Sequence, residues 1–131
     1  MLTIKIAQWV LRISAIIVLV LGILFWINVI NTDTSKGIVL VHMLLGILVV
    51  LSLWTLGIAQ GLRGGTFGLA VATFVWGLIT LAVGLFQTGW LPGSAHWVIQ
   101  VIHLILGLGA IGLGEMVAGR AKRRASKPMA A

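Results

Sequence analysis

No cysteine and no tyrosine occur in the 131 residues, and only two acids stand against nine Lys and Arg. The missing thiols exclude disulfides, iron–sulfur clusters, covalently attached c-type haem and thiol catalysis. Two acids provide no paired carboxylates for acid–base work and no chain of acids such as an ion pump carries through its apolar core. Charged residues make up 8% of the chain, far below the quarter usual in a soluble domain. There is likewise no Ser-His-Asp set, phosphate loop or zinc-ligand spacing. What is present is apolar: 60% of residues are hydrophobic and the mean hydropathy is +1.19. The composition is that of a membrane protein.

A net charge of +7 on a soluble chain would suggest nucleic acid as a partner. The placement of the charges argues against that. Arg120, Lys122, Arg123, Arg124 and Lys127 crowd into the last twelve residues, as in a cytoplasmic tail lying beside anionic membrane lipid.

The same charges divide the apolar body. Uncharged runs of 20, 26 and 51 residues separate Arg12 from Asp33, Lys36 from Arg63, and Arg63 from Glu115. A hydrocarbon core takes about 20 helical residues, so the runs hold one, one and two spans. The expected fold is all-α, an integral-membrane four-helix bundle with helices at about 7–30, 37–60, 66–88 and 95–118, followed by a basic tail at 119–131. Residues 1–131 form a single transmembrane domain on this reading. Thr34 or Ser35 and Ser94 are the expected N-caps. The first run is longer than a signal-peptide core and lacks a small-x-small cleavage site, so it is expected to remain in the mature protein. The positive-inside rule places Lys5, Arg12, Arg63 and the tail in the cytoplasm, with both termini, in a bacterial-type inner membrane.

Two offsets suggest two repeated helix pairs. A shift of 61 superposes Ile38, His42, Leu45 and Gly46 on Ile99, His103, Leu106 and Gly107, and a shift of 62 superposes Ile17, Leu19 and Gly22 on Ile79, Leu81 and Gly84. Such pairs would be related by a twofold along the membrane normal, with matched residues facing across the bundle.

All three histidines, His42, His96 and His103, fall in the outward halves of the second and fourth helices. His42 and His103 lie about six and about nine residues into their spans, at depths of roughly 9 and 13 Å. An imidazole in hydrocarbon needs partners for both ring nitrogens, and a metal can satisfy one of them. Two facing imidazoles suit the axial positions of a haem iron, whose macrocycle supplies the other four ligands. Gly46 and Gly107, one turn below the histidines, would let a flat ring approach the backbone, and Gly22 and Gly84 would clear its flanks.

The hydropathy plan with paired His42-x-x-x-Gly46 and His103-x-x-x-Gly107 resembles the four-helix membrane cytochromes b, which include haem-carrying anchors of quinone-linked dehydrogenases. The resemblance implies one-electron transfer through haem b, within a larger respiratory or photosynthetic complex or with a quinone as partner. Two-haem members carry four axial histidines; with three here, it implies one bis-His haem, with His42 and His103 as metal ligands. Lys36 and His96, nearer the outer surface, are the expected partners of its propionates. Two alternatives remain open: a chlorophyll-type pigment, or a cofactor-free structural subunit of a membrane complex. Catalysis by this chain alone is not expected. Glu115 is expected to pair with Arg63 or Arg120, Arg12 to reach the cytoplasmic surface, and Trp54 and Trp76 to sit deep.

Overall fold

In the computed structural model, residues 1–126 are described; Lys127 of the basic cluster lies outside them. Among the described residues there are four α-helices: α1 (Leu2–Trp26), α2 (Lys36–Leu62), α3 (Phe67–Phe86) and α4 (His96–Ala125), with short 3₁₀ turns at Gln87–Gly89 and Gly93–Ala95. Among the described residues there is no strand. Each helix is long and apolar enough to cross a membrane, which suggests a multi-pass membrane protein.

The helix ends follow local chemistry more closely than hydropathy. α1 stops at Trp26, short of the expected 30, because Asn28 takes a left-handed conformation (φ 59°). The amides of Asn28 and Val29 then donate to the carbonyls of Phe25 and Leu24, the paired bonds of a Schellman cap. Asn31 continues the turn by accepting at Oδ1 from the Asp33 and Thr34 amides, at 2.8 and 3.2 Å. Ser35 occupies the N-cap position of α2 without a side-chain capping bond, and Ser94 lies in a 3₁₀ turn one residue ahead of the α4 cap. α4 continues to Ala125, beyond the expected limit of 118. The hydropathy limit marked the end of the apolar span, but Ala, Lys and Arg are strong helix formers, and Lys122, Arg123 and Arg124 in the last turn favour the negative end of the helix dipole.

The bundle is a flattened rhombus. α2 and α4 touch each other, and both touch α1 and α3, whereas among the described residues α1 and α3 do not meet. The two histidine-bearing helices are therefore the central pair.

Packing is concentrated towards one end, where α1 begins and α4 finishes; we call it the basic end. Ile4, Ala7, Leu11 and Ala15 recur at helical spacing along α1 and bury against Val49, Leu53 and Leu56 of α2 and Ala110, Val117, Ala118 and Ala121 of α4. At the opposite end, which carries the histidines, no residue between 16 and 26 of α1 or between 36 and 48 of α2 is fully buried.

Glycines admit large side chains from the next helix. The Trp54 indole N–H donates to the Phe74 carbonyl at 3.2 Å, across Gly77 of α3, and Trp76 donates to the Leu106 carbonyl at 2.9 Å, across Gly109 of α4. A Cβ built on either glycine collides with the indole beside it. The two deep tryptophans thus clasp α2 to α3 and α3 to α4, each satisfying its polar atom on a neighbouring backbone.

α1 and α4 are joined by charge. The Arg12 guanidinium donates to both Glu115 oxygens, at 2.6 and 2.8 Å, the Gln8 side-chain amide donates to the same carboxylate at 2.7 Å, and Lys122 donates to Gln8 Oε1 at 2.6 Å. Glu115 therefore pairs with Arg12, not with Arg63 or Arg120, and Arg12 reaches across to α4. The expected early end of α4 placed Glu115 too near the surface. With the observed limits, Arg12 and Glu115 each lie ten residues from the basic end of their helix, at the same depth.

The clasp yields a prediction. Gly109→Ala should destabilise the bundle by about 1–3 kcal/mol by displacing the Trp76 ring and its hydrogen bond. Gly112→Ala, whose new methyl meets nothing within 4 Å, should leave stability unchanged or slightly raised. Unfolding in detergent followed by tryptophan fluorescence gives the comparison; equal effects at the two positions would contradict the packing.

Candidate functional site between the two central helices

His42 lies six residues into α2 and His103 seven into α4. At 1.5 Å per residue they sit about 9 and 10.5 Å below the starts of their helices. Because α2 and α4 run in the same direction and touch, nearly equal depth brings the side chains together. The imidazole centroids are 6.3 Å apart, with ring planes inclined at 56°.

Both rings are half-buried. The Nδ1 atoms of both are fully enclosed and have no hydrogen-bond partner. Two enclosed ring nitrogens without partners are costly, and an arrangement that keeps a pair of them at one level calls for a function.

Each ring rests on a glycine of the preceding helix. A Cβ on Gly22 would stand 3.3 Å from His42 Cε1, and one on Gly84 would stand 2.9 Å from His103 Cε1. These two glycines clear space for the imidazoles themselves. Gly46 and Gly107 differ: a Cβ there meets nothing within 4 Å, so open space lies on their helix faces one turn below the histidines. Phe25, three residues after Gly22, sets its ring edge-on to His42 with centroids 5.4 Å apart. Sequence reasoning missed Phe25, although its spacing from Gly22 places it on the same face of α1.

The remaining expected site residues stay apart from the pair. Lys36, at the first position of α2, is exposed and faces Asp33, with Nζ to Oδ1 at 3.5 Å. His96 opens α4, with Nδ1 3.3 Å from the Trp90 carbonyl. Both stand at the histidine end, above the paired rings and out of contact with them.

The chemistry of the pair follows from its donor set. Among the described residues no three His, Cys, Asp or Glu side chains converge as metal ligands. Two imidazoles alone suit a metal that brings further donors with it. With metal–nitrogen bonds of about 2.0–2.1 Å and the ring centre roughly 1.1 Å behind the nitrogen, imidazoles on opposite sides of one metal have centroids about 6.2–6.4 Å apart. The 6.3 Å separation of the centroids falls in that range. Two imidazoles at this spacing are donors that the metal of a planar tetrapyrrole could take up.

Compared with known protein families, with curated proteins and with solved structures, the chain matches none.

The glycine geometry orders two substitutions. Gly84→Ala should displace the His103 ring and cost about 1 kcal/mol or more, and Gly107→Ala should do neither. Imidazole proton–nitrogen NMR of labelled protein reads the displacement: His103 signals move in the first variant and stay in place in the second. The reverse order would contradict the backing role of Gly84.

Proposed function

We propose that the chain is a small multi-pass b-type cytochrome that holds one haem between His42 and His103 and relays single electrons. The observation that carries this reading is the pair of half-buried imidazoles at nearly equal depth, with ring centroids 6.3 Å apart, each with an enclosed and unpartnered ring nitrogen. Haem, when bound, supplies a one-electron couple at its iron. The residues supply the rest. His42 and His103 would hold its iron, and two protein ligands on the iron would favour electron relay over oxygen binding. Gly22 and Gly84 hold the rings in orientation from behind, as outer groups do for metal-bound histidines. Gly46 and Gly107 keep the helix faces below the ligands free of side chains. Lys36 and His96, at the helix starts above the pair, are the polar groups available to its carboxylates.

The same reading makes the bundle two repeated helix pairs. In its support, each histidine rests on a glycine of the helix before it, and the glycines and histidines are offset by 62 and 61 residues respectively. Both termini face the cytoplasm of a bacterial-type inner membrane, in keeping with the gathering of Lys5, Arg63, Arg120, Lys122, Arg123 and Arg124 at one end of the helices. The loops are short, so electrons enter and leave through a membrane partner, either a quinone or a larger respiratory or photosynthetic complex.

A second reading takes a chlorophyll-type pigment in place of haem, because its magnesium also accepts imidazole. A third is a cofactor-free structural or assembly subunit. One preparation separates them. Protein purified from its native membrane should show the reduced-minus-oxidised spectrum of six-coordinate haem b. His42→Ala or His103→Ala should abolish it or convert it to a five-coordinate form. A red-absorbing pigment would support the second reading, and colourless protein that assembles normally with both histidines replaced would support the third.

A further inference from the structure

The basic end contains a polar side chain that the fold leaves unsatisfied. Gln60, in the last turn of α2, is 1% exposed, and neither its amide nitrogen nor its amide oxygen has a hydrogen-bond partner. Its position is set by the turn that follows. The Gln60 backbone carbonyl accepts from the Arg63 and Gly65 amides, with Gly64 left-handed at φ 75°, which folds the chain back over the side chain. A Cβ on Gly65 would collide with the Gln60 amide, so glycine keeps that space open.

Gln60 lines a cavity of about 180 Å³ together with Met1, Arg63, Ala121, Arg124 and Ala125. The charges around it have one sign. Among the described residues neither Arg63 nor Arg124 makes an ion pair; Glu115 is taken by Arg12, and Asp33 faces Lys36 at the opposite end. The cavity thus has Arg63 and Arg124 in its walls, with the Gln60 amide sealed behind them under Gly65. Guanidinium matches phosphate in charge and in its forked geometry.

We infer that this cavity binds a phosphate group, with Arg63 and Arg124 supplying the charge. The group belongs either to a lipid headgroup or to a free phosphate. The inference does not rest on the histidine reading, since the cavity and the imidazole pair lie towards opposite ends of α2.

The test uses the full-length chain in neutral detergent. Native mass spectrometry and unfolding midpoints are recorded with added phosphatidylglycerol, with phosphatidylcholine and with inorganic phosphate. Phosphatidylglycerol should be retained and should raise the midpoint, while phosphatidylcholine, whose choline cancels the charge, binds about tenfold more weakly or less. A midpoint raised by inorganic phosphate alone identifies the free anion as the source. The double variant Arg63→Gln/Arg124→Gln should weaken binding about tenfold or more. Gln60→Leu removes two unsatisfied polar atoms that are sealed from the cavity, so it should fold normally and bind as before. Arg120→Gln/Arg123→Gln removes the same charge from the same end but outside the cavity, and should leave retention nearly unchanged. Equal losses in the two double variants, or no binding of either phosphate source, would overturn the site.

Discussion

A single charged fork closes the bundle. Arg12 of α1 and Glu115 of α4 meet through two hydrogen bonds, with Gln8 and Lys122 attached, and these are the only strong polar links between the first helix and the last among the described residues. Where helices present mostly Leu, Ile and Val, apolar contact is poorly selective, and a paired charge is costly to leave alone. It therefore fixes which helix lies beside which. With α1 held to α4 and to α2, the fourth side is closed by α3, and α2 and α4 are brought together along the short diagonal. The approach of the two histidines follows from that diagonal.

The division of labour between the ends has a physical reason. Leu11, Leu53, Leu56 and Val117 fill the basic end with well-packed aliphatic side chains, and the ion pair lies close to them. That end anchors the fold. The other end then has no need of a complete core, and half-buried imidazoles, glycine faces and an aromatic edge can occupy it without unfolding the bundle. The indoles of Trp54 and Trp76 bridge the middle, each seated where a glycine lets it reach a backbone carbonyl.

The four helices were legible in the sequence because long uncharged runs leave little other choice, and the histidines stood out because polar residues are rare within such runs. The ends were less legible. Hydropathy reports the apolar span, while α4 persists through Ala118 to Ala125 on intrinsic helix propensity, and α1 stops at an asparagine whose left-handed backbone hydropathy does not register. The Glu115 partner was missed for the same reason, since a depth counted from the wrong terminus pointed to the wrong arginines. The tryptophan clasps could not be read at all, because they depend on which glycine faces which indole, and that is settled only by the order of helices around the bundle. Gly22 and Gly84 were noticed through their offset, yet the side chains that use their space became visible only when the helices were brought together.

The helices also differ in length. α3 has 20 residues and spans about 30 Å, while α4 has 30 and spans about 45 Å. In a bilayer whose oily layer is about 30 Å thick, α3 has no length to spare. Leaning the whole assembly would draw its ends below the surface, so a thicker sheet of lipid must be met by pinching the sheet, not by tipping the protein. In a bilayer the shortest rod would be the gauge of thickness, and the longer ones would accommodate themselves to it.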